Sequence, residues 1–204
     1  MKKLASGLIE KIHKENPGYT EPELIKMNYG IECFFYEFTR TLVLLIIFSL
    51  LSLTKEYLFV LVLLIALRPF TGGYHAGSNA VCYLISFVFL SIVIYVNKAV
   101  ELELFVKEAI LACSVVITAL AAPVEHRSRA VRVEKMRRLY KILALLLTAA
   151  AGTAGFLLPS YYSGMTFLTL LFNSIMIAIG YFRYKKNNCQ NSVPSSKSES
   201  PHFS

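Results

Sequence analysis

Residues 57–96 read "YLFVLVLLIALRPFTGGYHAGSNAVCYLISFVFLSIVIYV", an apolar run, a polar interruption and a second apolar run. The interruption holds Arg68, Pro69, Gly72, Gly73, His75 and Gly77, and Cys82 follows the histidine by seven residues. Two membrane helices joined by a short polar re-entry explain this pattern, because a long apolar segment with few charges is the signature of a span. Pro69 disfavours helix at Arg68 and predicts a helix end there. Gly72 and Gly73 permit a left-handed turn, Gly77 permits another, and Ser78 or Asn79 can cap the next helix.

Moving outward, apolar runs recur at 34–53, 57–67, 81–96, 109–124, 142–158 and 161–182. They predict an all-α polytopic membrane protein of about six transmembrane helices, since a span needs roughly 20 apolar residues. The second run is short: 11 residues cover only about 16 Å, so the helix must recruit residues 54–56 and Arg68 or stop within the membrane. Composition agrees, with 55% hydrophobic and 17% charged residues and a mean hydropathy of +0.54. The 204 residues suit one domain.

The net charge of +8 raises nucleic acid as a partner, but the positions of the basic residues favour a membrane. With both termini inside, 18 of 21 Lys and Arg face the cytoplasm and only Lys55, Lys98 and Lys107 face out. That asymmetry orients the chain, because cytoplasmic loops carry the positive excess. No nucleic-acid partner is expected, while membrane lipids are.

Three segments are expected. Residues 1–32 form an N-terminal interfacial segment: Leu4, Leu8, Ile9 and Ile12 follow helical spacing among lysines, the pattern of a helix lying in an anionic interface. "NPG" at residues 16–18 breaks that helix, and Thr20 with Glu23 resembles a capping box whose helix can run on into the first span. Residues 33–184 form the integral membrane domain. Residues 185–204, ending "NSVPSSKSESPHFS", read as a disordered cytoplasmic tail.

Cys33, Cys82, Cys113 and Cys189 are widely scattered, so free thiols are expected. Cys82 falls at the third or fourth position of its helix, where the positive end of the dipole favours a nucleophilic thiolate. On a continuous helix His75 would lie about 10 Å from Cys82, so the glycines would have to fold the loop back to pair imidazole and thiol. Spacing alone leaves a second reading open, a tight cytoplasmic turn with a wetted histidine and a small packed cysteine. Packing accounts for Cys33 and Cys113, and Glu37 and Arg40, three apart on one helix, are expected to pair structurally. No metal-ligand or phosphate-binding spacing occurs, and no metal or cofactor is expected.

Across "RPFTGGYHAGSNAVC", residues 68–82, the sequence resembles the accessory gene regulator B (AgrB) family of bacterial membrane cysteine endopeptidases, which mature quorum-sensing peptides. The resemblance extends to the basic N-terminal segment, the six apolar segments and the loop "APVEHRSRAVRVEKMRRLYK". It implies that Cys82 is the nucleophile and His75 its general base, with Arg68 and Gly73 at supporting positions. It further implies an AgrD-like propeptide substrate, a multi-pass place in the cell membrane with the catalytic loop toward the cytoplasm, and a homodimer. Two other classes fit a small polytopic protein: a peptide exporter without proteolytic activity, and a membrane adaptor in which the glycine loop only turns the chain.

Overall fold

The computed structural model describes residues 2–16, 18–72, 79–123 and 134–191. Among them the chain forms seven α-helices and no strand: α1 (Lys2–Glu15), α2 (Glu21–Leu50), α3 (Thr54–Thr71), α4 (Asn79–Ala99), α5 (Leu104–Ala121), α6 (Glu134–Leu157) and α7 (Ser160–Asn191). Five of these, α2 and α4 to α7, are long and apolar enough to cross a membrane. The expected second span is α3, which recruits residues 54–56 before the apolar run and 68–71 after it to reach 18 residues, about 27 Å at 1.5 Å per residue. All three of its charges fall within its single 18-residue window, whereas each of the other five offers an 18-residue stretch with at most two.

The chain divides into two compact units, one of Met1–Leu58 with Ala76–Val88, the other of Phe59–His75 with Phe89–Ser204. In the first, α1 carries an exposed Glu10–Lys14 pair at 3.2 Å. Helix α1 ends at Glu15, and helix resumes after the expected capping box, where the Glu23 carboxylate accepts from the Thr20 backbone N–H (2.9 Å) and hydroxyl (2.8 Å). This cap satisfies a donor that the first helical turn leaves orphaned. As expected, α2 runs unbroken from there into the first apolar run.

The end of α2 is a Schellman turn. Leu53 N–H reaches the Phe48 carbonyl (2.8 Å), Ser52 N–H reaches Ser49 (3.0 Å), and Ser52 takes φ 58°. Glycine normally fills that left-handed position; Phe48 and Leu53, at the two positions whose apolar contact frequently accompanies this motif, are both buried. The Phe48 ring stacks on Tyr57 (5.3 Å between centroids, 12°) and tilts against Phe87 of α4 (5.9 Å, 39°). The Tyr57 hydroxyl donates to the Thr41 carbonyl at 2.9 Å. One aromatic cluster therefore ties α2, the start of α3 and the N-terminal half of α4 together.

The second unit is built on α5, α6 and α7. Leu67, Ile110, Phe167 and Leu170 form its buried centre, with Leu102, Leu111, Leu147 and Ala151 packed around them. Small residues let the helices approach closely, as in other membrane bundles. A Cβ on Gly152 would run into Leu111, and one on Gly164 would strike the Asn97 amide, whose Nδ2 donates to the Tyr161 carbonyl at 2.9 Å. Buried hydroxyls on α7 return their protons to the preceding turn, Thr169 to Met165 (2.7 Å) and Ser174 to Leu170 (2.9 Å). This local pairing removes the penalty of a bare hydroxyl inside the bundle.

Three boundaries differ from the sequence reading. Helix α3 passes Pro69 and ends at Thr71: the bias that proline places on its predecessor is weaker than the continuity of the last turn, where Gly72 N–H bonds to the Arg68 carbonyl at 3.0 Å. The stop is Gly72 itself, at φ 70°, a conformation that only glycine adopts without cost. Helix α5 ends at Ala121 rather than 124 because Ala122 is extended before Pro123. Helix α7 continues to Asn191, seven residues into the segment expected as tail; residues 192–204 lie outside the described residues.

Candidate active site

Cys82 is the fourth residue of α4, within its first turn. Backbone N–H groups there lack partners within the helix, and their summed dipole favours negative charge at this end. The thiol is free and half-buried. Its helix is held against α2 by the Phe48–Phe87 contact, both residues of the first unit.

That contact presents Cys82 to Arg40. The guanidinium Nη1 donates to Cys82 Sγ at 3.0 Å, while Nη2 pairs with the Glu37 carboxylate. The two meeting points also give the helices' direction. Phe48 lies eight residues beyond Arg40 on α2, and Phe87 five residues beyond Cys82 on α4, so these two stretches run the same way. The Arg40 side chain is only 11% exposed and Glu37 is 48% exposed. A cation this far into an apolar helix is costly unless paired, so an arginine held there has a definite electrostatic task.

The expected site residues are distributed as follows. Cys82 is in the first turn of α4. Arg68 is half-buried in the last turn of α3, where its charge complements the helix dipole. Gly73 and His75 lie outside the described residues, as do Glu125, His126 and the basic stretch 127–133. Gly72 is left-handed, as its expected turn role requires. Cys33 and Cys113 are free, and among the described residues neither meets a hydrogen-bond donor. No group of three or more His, Cys, Asp or Glu suited to a metal occurs among the described residues.

Arg40 is the residue that sequence reasoning read differently. It was expected to pair with Glu37, and it does, but its second contact, 42 residues along the chain, is the candidate nucleophile. One signal pointed to it: a lone arginine six residues inside an apolar run is an intramembrane ionisable group.

A chain that is all-α over its described residues, with five helices long and apolar enough to cross a membrane and a helix-start thiol against a largely buried guanidinium, fits the class of polytopic membrane proteins. Comparison with known families narrows this class. The chain belongs to the AgrB family, Accessory gene regulator B, whose profile matches residues 3–177. A protein of Clostridium perfringens (strain 13 / Type A) described as AgrB-like is 26% identical over 106 residues. That alignment covers 52% of this chain and 56% of the relative, so the chain spans little more than half of that protein's length. No solved structure matches the chain.

Proposed function

We propose that this chain is a membrane-embedded cysteine endopeptidase that removes the C-terminal tail of an AgrD-like quorum-sensing propeptide and promotes closure of a (thio)lactone ring. Membership of the AgrB family supports propeptide processing. The observation that carries the mechanism is the Arg40 guanidinium 3.0 Å from Cys82 Sγ, because a thiol beside a cation at a helix start is poised as a nucleophile.

In this reading the Cys82 thiolate attacks the carbonyl at the junction of ring segment and tail. The C–N bond breaks, the tail leaves as an amine with a proton delivered by His75, and the ring segment remains as a thioester on Cys82. The peptide's own Cys or Ser then gives its proton to His75 and attacks the thioester, so the Cys82 thiolate departs and the ring closes. An intramolecular attacker competes well against water, with effective molarities of about 10⁵ M or more. Arg68 and Gly73 support the site, the arginine toward an anionic group and the glycine through backbone geometry.

The membrane setting is six crossings, with α3 as the short second one and both termini and the loop 73–78 in the cytoplasm. The distribution of Lys and Arg supports this orientation. Exposed Phe34, Phe38, Leu42, Ile46 and Leu50 recur every fourth residue along α2, a stripe suited to lipid contact. The test is propeptide processing in cells carrying Cys82→Ala or His75→Ala at normal membrane levels. Loss of cleavage in both is expected. Full cleavage by Cys82→Ala would overturn the reading, and export of uncleaved peptide by that variant would select an exporter.

A further inference from the structure

We propose that Arg40 is a further catalytic residue, whose guanidinium holds the Cys82 thiolate, and that Glu37 sets how strongly it does so. This deepens the peptidase reading and rests on it for the word catalytic; the electrostatic claim stands on geometry alone. Arg40 Nη1 touches the sulfur that would react, and Nη2 is engaged by Glu37. A neutral thiol sulfur is a weak acceptor, whereas a thiolate accepts strongly from a charged donor. The contact is therefore worth most in the deprotonated state, and it adds to the helix-start dipole of α4.

The surroundings give each group a sign. Among the described residues, the titratable side chains that meet Arg40 are Glu37 on α2 itself, Tyr57 at the start of α3 and Cys82 on α4. Tyr57 is neutral at ordinary pH and its hydroxyl is committed to Thr41. Among the described residues that leaves the Arg40 cation and the Glu37 carboxylate acting on the sulfur. Arg40 is nearer and better shielded from solvent, so its attraction dominates; Glu37 is half in solvent and offsets part of it. Removing the arginine must slow Cys82, and neutralising the glutamate must speed it. A purely structural ion pair would make both changes act in the same direction, since either would release the same partner.

The experiment measures the alkylation rate of Cys82 by iodoacetamide in native membranes at pH 7 and across a pH series. Cys33, Cys113 and Cys189 are replaced by serine, no propeptide is added, and labelling is normalised to that after SDS unfolding. In this reaction the thiolate displaces iodide, and the thiol proton has gone to solvent or to His75. Arg40→Met should lower the pH 7 rate about tenfold, because the reacting sulfur loses its charged donor. Arg40→Lys should recover most of it, and Glu37→Gln should raise the rate about two- to threefold, the modest effect of a half-exposed charge. If Arg40→Met does not accumulate in the membrane, the Glu37→Gln and Arg40→Lys rates decide alone. A rate that is unchanged or lowered in Glu37→Gln, or unchanged in an accumulated Arg40→Met, overturns the inference. Because no propeptide is present, this outcome is independent of the cleavage test on Cys82→Ala, and either idea can fail without the other.

Discussion

Phe48→Ala should loosen the joint that brings Cys82 to Arg40. The Phe48 ring is wholly buried, stacked on Tyr57 and tilted against Phe87. Each aromatic pair contributes about 0.5–1.5 kcal/mol beyond simple burial, and truncating a buried Phe in a water-soluble core costs about 3–5 kcal/mol in all. Between membrane helices the transfer part shrinks, because lipid chains are as apolar as the core. The two lost ring contacts and the unfilled cavity remain, and together they place the cost at about 2–3 kcal/mol. Unfolding by SDS titration in mixed micelles measures it, with Phe48→Leu expected to retain roughly half the loss because it fills part of the cavity. A value for Phe48→Ala within about 0.5 kcal/mol of the parent, the range of ordinary surface substitutions, would refute the claim that this cluster is the structural joint of α2, α3 and α4.

Other expectations follow from single positions. Ser52→Gly should stabilise by about 1 kcal/mol in the same titration, because it removes the left-handed penalty at φ 58°; Ser52→Val should destabilise. Gly164→Ala should cost about 1–3 kcal/mol, since its methyl group would displace the Asn97 amide from its bond to Tyr161. In a cysteine-free background, Lys98→Cys should react with an impermeant maleimide added outside intact cells, whereas Lys185→Cys should react only after permeabilisation. Labelling of Lys185→Cys but not Lys98→Cys from outside would reverse the proposed orientation, and equal labelling of both would contradict it.

The apolar runs located α2 to α7 because a bilayer demands long apolar segments, and that demand is written in composition. Thr20 and Glu23 announced the start of α2 for an equally local reason, a cap made within four residues. The turn at Ser52 was not legible: its left-handed residue is not glycine, and the burial of Phe48 and Leu53 and the packing of Phe48 on Tyr57 and Phe87 exist only in the folded chain. Pro69 misled for the opposite reason, since a local bias against helix gave way to the closing turn that Gly72 completes. At the site, Cys82 at the fourth position of its helix was readable from the glycine loop before it. Its partner was not, because the Arg40 contact exists only once α2 and α4 lie side by side. The clue available in sequence was the expense of a lone arginine in an apolar run.

The most direct test of the account looks for the bond it requires. Membranes containing the chain are given a propeptide whose ring-forming Cys or Ser is replaced by Ala, so that a thioester on the enzyme has no internal attacker. Intact-mass and peptide mass spectrometry should find the ring segment, without its tail, attached to Cys82 and released by neutral hydroxylamine. Tail release with no adduct on Cys82, or undiminished tail release by Cys82→Ala, would contradict it.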